Sequence, residues 1–358
     1  MGTTRHYVAL DGLRGVAALS VVCLHVAKYF GLPIMPYHAY LAVDFFFMLS
    51  GFVIAHAYDD RLRRGMSVAS FLAARLTRFQ PLVALGVVLA IAVYLLRARF
   101  GGIDMVGVLQ AAGANILLLP SPVFLTRFPF AFPLDIPLWS LAFEIWINLL
   151  YAVFFKALTC VTLGLALAVG AVLVLTTSLR NRGLDVGFEW HGFYLGGARV
   201  VFPFVMGILL RRYTGELKPR VGGTRRLAWT HAMFAPLLLV LCAPSFDRGW
   251  FDIIAVLFVF PLILLAASHA PPSRRLDPLW RQFGLLSYPV YVLHYPLVFA
   301  ISEMVHVLHG GNALCWLGAA ATFLLALAMS AVANEFYDAP ARAWIARQLA
   351  MLSRPRLS

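Results

Sequence analysis

Charge is scarce in this sequence: 13% of its 358 residues are Asp, Glu, Lys or Arg, where a soluble domain carries about 25%. So little polar surface cannot coat a globule in water, which excludes a soluble fold. Cysteine is nearly absent as well. Cys23, Cys160, Cys242 and Cys315 all fall inside apolar runs, so they read as small buried hydrophobes and not as a disulfide framework. No Cys/His spacing matches a zinc or haem site, and no metal is expected. The chain start lacks the marks of a cleavable signal peptide, because Asp11 and Arg14 interrupt the first apolar run and no small-residue cleavage site follows. No internal repeat is visible, and no soluble domain is expected at either end.

What is present is apolar length. Hydrophobic residues make up 61% of the chain and mean hydropathy is +0.83. Runs of about 18 residues or more are what a helix needs to cross the hydrocarbon core. The runs are continuous and do not alternate, so helices are expected and not a barrel. The expected fold is an all-α polytopic transmembrane bundle forming a single domain over residues 1–358. Ten spans are expected, at 13–30, 40–58, 80–97, 137–156, 159–178, 192–210, 228–244, 249–268, 284–303 and 315–334. The stretch 67–79 (SVASFLAARLTRF) reads as an amphipathic helix on the inner surface. A short basic tail is expected from about residue 341.

The formal net charge of +13 is mostly topological. With ten spans and a cytoplasmic N-terminus, twenty of the 29 basic residues fall inside and seven outside, as the positive-inside rule requires. Both termini are then cytoplasmic. A full crossing by 103–119 would invert every later loop, so that segment is expected to be a partial or re-entrant helix on the outer side. The distribution also removes nucleic acid as an expected partner and leaves the bilayer.

Ionisable residues inside spans are costly and mark function by default. Arg14 and His25 stand eleven residues apart in the first span. At about 100° per residue they share a face, roughly 16 Å apart along the axis. Asp44 lies close to the outer end of the second span, where an acid at a helix start is unremarkable. Ser140, Glu144 and Asn148 recur every four residues in the fourth span and share one face. Arg199 enters the sixth span from the same side at similar depth, so a Glu144–Arg199 ion pair is one expectation, against a direct chemical role for Glu144. His294 lies at mid-depth in the ninth span. His25, Glu144, Arg199 and His294 thus overlap in depth. A transport path would use such groups as a relay; an enzyme would use a histidine as base with an acid to set its tautomer. The residues alone leave both open.

These segments resemble the acyltransferase-3 family of membrane acyltransferases. LDGLRGVAALSVVCLH carries its arginine–ten residues–histidine signature, here Arg14 to His25, and AVDFFFMLSGFVI follows. RLTRFQP holds the paired arginines, Arg75 and Arg78. PLWSLAFEIW matches the Trp-Ser-Leu-x-x-Glu motif through Trp139, Ser140 and Glu144, and GLLSYPVYVLHYPL the late Ser-Tyr and histidine motif. Five motifs stand in family order from residue 9 to about 298. EFYDAPAR has Asp338 and Ala339 where the family often has glutamate before the proline, and no role is assigned there.

The resemblance implies transfer of an acyl group, commonly acetyl, from cytoplasmic acyl-coenzyme A to a hydroxyl of a sugar or glycan precursor on the outer side of a bacterial inner membrane. Arg14, Arg75 and Arg78 are the expected coenzyme-binding residues, since guanidinium forks suit phosphate. His25 and Glu144 are the expected catalytic residues. Glu144 would orient His25 or position the acceptor. Asp44, Trp139, Ser140, Arg199 and His294 are expected to support the site or line the acceptor side. An extracytoplasmic partner protein is one way to complete the transfer. The rival readings are a transporter or flippase of a lipid-linked sugar, which the lack of inverted repeats disfavours, and a structural membrane subunit.

Overall fold

The computed structural model describes residues 7–99, 102–126, 128–214, 234–244, 247–270 and 276–352. Helices dominate them, and the only β-pairing among the described residues is an isolated bridge between Phe130 and Glu189. The helices are α1 (Val8–Tyr29), α2 (Ala42–Arg63), α3 (Val68–Ala98), α4 (Met105–Ile116), α5 (Leu138–Val153), α6 (Cys160–Asn181) and α7 (Tyr194–Thr214). They continue with α8 (Phe234–Leu241), α9 (Arg248–Ile254), α10 (Phe260–Ser268), α11 (Asp277–Val307), α12 (Asn312–Ala333) and α13 (Ala339–Leu352). Two π-turns, Ala255–Val259 and Asn334–Asp338, join α9 to α10 and α12 to α13.

Eight helical stretches are long and apolar enough to cross a membrane. They correspond to eight of the ten expected spans. The fourth, 137–156, is the shorter apolar helix Leu138–Val153, and most of 228–244 is seen only as Phe234–Leu241 because 228–233 lies outside the described residues. The segment 103–119 holds the 12-residue α4, about 18 Å long and too short to cross.

Two boundaries differ from expectation. The amphipathic stretch 67–79 is not a separate surface helix. It is the first half of α3, a single 31-residue helix that runs through Pro81. Ser67 caps its start by accepting from the Ser70 N–H. The expected basic tail is largely helical, because α12 passes through its π-turn into α13 as one 40-residue stretch to Met351; residues 353–358 lie outside the described part.

The central pairings are α1 on α11, α2 on α7, α11 on α12 and α6 on α7. Small residues allow the closest of them. A Cβ on Gly51 would overlap the Phe204 backbone, and one on Gly207 the backbone of Met48 and Phe52, so α2 and α7 touch main chain to main chain. Phe45, Phe47, Phe52, Phe132 and Phe260 fill the centre.

The four cysteines are a correction. Cys23, Cys160 and Cys242 are exposed on the bundle surface and Cys315 is half-buried. In a bilayer the outside of the bundle is as apolar as its core, so an apolar run cannot say which way a cysteine faces.

Candidate active site

α1 and α11 run parallel, which two contacts near opposite ends of α1 make plain. Near its start, Arg14 donates through Nε to Ser287 Oγ at 2.9 Å and through Nη2 to the Gly284 carbonyl at 3.1 Å and to Asp11 Oδ1 at 2.9 Å. Near its other end, His25 Nδ1 lies 2.8 Å from His294 Nε2. The rings stack with centroids 5.1 Å apart and planes 21° apart. The shared face of Arg14 and His25 therefore faces α11, with the arginine at one end of the bundle and the histidine toward the other.

The hydrogen bonds settle the tautomers. His294 Nδ1 lies 2.9 Å from the Val290 carbonyl. A carbonyl only accepts, so His294 carries its proton on Nδ1 and offers a lone pair on Nε2. His25 Nδ1 must then be the donor across the 2.8 Å contact. That leaves His25 Nε2 as an unprotonated lone pair. His294 is fully buried, whereas His25 is half-buried. Tyr295 packs edge-on to His25 and its hydroxyl meets that of Tyr29.

At the arginine end a cavity of about 540 Å³ opens between α1, α2, α3, α5 and α11. Arg14, Arg61, Arg75 and Arg78 line it, against the acids Asp11 and Glu144. Arg75 Nη2 donates to Glu144 Oε1 at 3.2 Å, and Ser50 Oγ donates to the same oxygen at 2.8 Å. The guanidinium of Arg75 stacks over Phe79 at 4.8 Å and that of Arg78 over Tyr288 at 5.6 Å. Arg78 has no carboxylate within ion-pair distance among the described residues. The remaining wall is apolar, with Val43, Leu49 and Phe47.

Ser140, Tyr291 and Phe46 also line the cavity. Ser140 Oγ and Tyr291 OH are 2.7 Å apart, and Phe46 packs edge-on to Tyr291 at 5.5 Å. Tyr291 in turn packs on His294 at 6.2 Å. The histidine pair thus lies one side chain, Tyr291, away from the cavity.

Two expected pairings are corrected. Arg199 does not meet Glu144. It donates to Asp44 Oδ2 at 2.6 Å and Oδ1 at 3.2 Å, and to the carbonyls of Tyr40 and Val186. Both members of the pair are buried, and Arg199 lies over the ring of Trp139 at 5.1 Å. Because α7 packs on α2, the nearest acid is on α2. The second correction concerns Glu144, which bonds Ser50 and Arg75 and not His25. The partner of His25 is His294. Depth alone ordered these residues along the membrane normal, but which helices are neighbours decides who meets whom.

Tyr291, Phe46 and Ser50 join the site without having been singled out in the sequence, and Ser287 was present there only as part of the Ser-Tyr motif. The signal for Tyr291 was present, since Tyr288, Tyr291 and Tyr295 recur at helical spacing beside His294. Asp135, just before α5, is fully buried with neither carboxylate oxygen hydrogen-bonded, and burial pushes its carboxyl well above the usual range.

A histidine whose Nε2 is left unprotonated, near a cation-lined cavity inside a helical membrane bundle, is an arrangement suited to group transfer. Comparison with known proteins agrees. Residues 7–335 match the acyltransferase-3 family, described as an acyltransferase domain. A protein of Rhizobium radiobacter named protein 2 in the picA locus is 38% identical over 183 residues, which cover 48% of this chain and 94% of that protein. No solved structure matches. The chain belongs to the acyltransferase-3 family and is a multi-pass membrane acyltransferase.

Proposed function

We propose that the protein transfers an acyl group, acetyl in the simplest case, from acyl-coenzyme A to a hydroxyl of a sugar or glycan. The donor enters from the arginine end, on the cytoplasmic side of a bacterial inner membrane. The acceptor meets it from the outer side. Both chain termini are then cytoplasmic, in keeping with the balance of basic residues.

The observation that carries this reading is the chain His25 Nδ1–H to His294 Nε2, with His294 Nδ1–H to Val290 O. It leaves His25 Nε2 free to act as general base. His25 takes the proton of the acceptor hydroxyl as its oxygen attacks the thioester carbonyl carbon. His294 accepts from the imidazolium that forms. The carbon–sulfur bond then breaks, and the leaving thiolate takes the proton back from His25, so no net proton is gained or lost. Arg14, Arg75 and Arg78 hold the coenzyme's phosphates, and the apolar wall beyond them suits the pantetheine arm. Glu144 and Ser50 fix the fork of Arg75. Phe46 and Tyr291 must turn aside for the thioester to reach His25. Trp139, Asp44 and Arg199 brace α5 against α2 and α7 from behind.

The test is thioester turnover by the purified protein in nanodiscs, read as release of free coenzyme A from acetyl-coenzyme A with a glycan precursor pool. A positioned base is worth about 10²–10⁴-fold, so His25→Ala loses nearly all turnover with donor binding intact. Arg75→Ala/Arg78→Ala weakens donor binding instead. A folded wild type that binds no acyl-coenzyme A overturns the donor assignment.

A further inference from the structure

The C-terminal helix brings a further arginine within electrostatic range of Arg78, which lines the cavity. Residues 334–338 form the π-turn between α12 and α13, a geometry found mostly at functional sites. Within it Glu335, Phe336 and Tyr337 are exposed, whereas the Asp338 side chain is only 1% exposed. Asp338 Oδ2 forms an ion pair with Arg342 Nη2 at 2.8 Å, and its Oδ1 is buried with no hydrogen bond. Arg342 also reaches back through Nε to the Asp338 carbonyl at 3.4 Å. One of its five N–H groups is thereby hydrogen-bonded, and the guanidinium, ion-paired to Asp338, sits on a side chain 26% exposed.

Arg342 and Asp338 lie within electrostatic range of Arg78, the one repelling its charge and the other attracting it. α13 packs against α3, the helix that carries Arg75 and Arg78. An arginine retained only to sit against anionic lipid needs no buried carboxylate to hold it. This one is held by Asp338 and is not among the four arginines that line the cavity. These residues lie beyond 335, where the family match ends.

We infer that Arg342, held by Asp338, is a second phosphate ligand near the cavity and binds a phosphate monoester standing apart from the group held by Arg75 and Arg78. This rests on the acyl-coenzyme A reading above. That donor carries a diphosphate and, across the nucleoside, a separate 3′-phosphate, so two spaced cationic points match it. Asp338 is the positioning residue.

Binding of coenzyme A and of 3′-dephospho-coenzyme A to the full chain in phosphatidylcholine nanodiscs tests this. Wild type is expected to prefer coenzyme A by about tenfold or more, the scale of one charge-assisted fork. In Arg342→Gln the preference collapses toward parity while the dephospho form binds as before, and Asp338→Asn moves the ratio the same way. Equal weakening of both ligands, or of neither, overturns the inference. So does a wild-type preference that vanishes when phosphatidylglycerol is added, which would make a lipid headgroup the true ligand. Failure of wild type to bind either form removes the donor assignment itself and this inference with it.

Discussion

A histidine that is to accept a proton needs its other nitrogen committed, and here another histidine supplies the commitment. His294 does what a carboxylate does in the commoner dyads, but as a neutral acceptor locked by the Val290 carbonyl. The consequence is testable at that one position. His294→Leu removes the acceptor and frees the His25 ring to turn; turnover is expected to fall by about 10²–10⁴-fold. His294→Gln keeps an acceptor oxygen near Nε2 and is expected to retain well over tenfold more activity than the leucine variant. Donor KM should stay unchanged in both, because neither touches the arginine cavity. Equal loss in the two variants, or a rise in KM, would show that His294 packs the helix and does not orient the base. Much of this site was within reach of the sequence: Arg14, His25, Glu144 and His294 were candidates as ionisable residues inside spans, and Arg75 and Arg78 through the family resemblance. Their pairing was not. His25 and His294 are 269 positions apart, and matched depth offered Glu144 and Arg199 as equally good neighbours.

Elements explain why. Apolar run length reports on helices one at a time, and most spans follow from it directly. It says nothing about which helices touch. That information lies in the small residues, and α2 and α7 show how. Gly207 on α7 faces the main chain of Met48 and Phe52, so a methyl there must push two backbones apart. Gly207→Ala is expected to destabilise by roughly 1–3 kcal/mol or more, read as a lower thermal midpoint in detergent. It should also weaken the Asp44–Arg199 pair that bridges the same two helices. Gly164 on α6 has open space around it, and Gly164→Ala should lie within about 0.5 kcal/mol of wild type. If both variants melt alike, glycine contact is not what sets the α2–α7 pairing. The continuity of α3 through Pro81 and of α12 into α13 was hidden for a related reason. Polar residues at one end of a long helix look like the end of the helix, although they only mark where it leaves the apolar layer.

At the scale of the whole molecule the chemistry has two ends. Four arginines face the cavity at one end of the bundle. The histidine pair, with Tyr29 and Tyr295 beside it, faces the other. Tyr291, which lines the cavity and packs on His294, stands between them with Phe46 against it. A donor bearing several phosphates cannot pass through so thin an apolar partition, since a charge in the membrane interior costs several kcal/mol. Its acyl group on a slender uncharged arm can. The bundle should therefore carry out transfer between compartments without carrying the donor across. In sealed vesicles of uniform orientation, acyl-coenzyme A is expected to support turnover only from the side onto which Arg75 and Arg78 open. A protease-accessible tag before Tyr7 identifies that side. Free coenzyme A should appear there alone, while the acylated acceptor accumulates in the opposite compartment. Coenzyme A released into the acceptor's compartment would mean that the donor crosses, and would move the protein toward a transporter coupled to transfer. Equal turnover from both sides would mean that the partition at Tyr291 and Phe46 is not closed. Phe46→Ala, which thins that partition, gives the same experiment a built-in comparison: turnover with donor supplied from the second side should rise above the wild-type level, because the aromatic pair is what keeps the donor to one side.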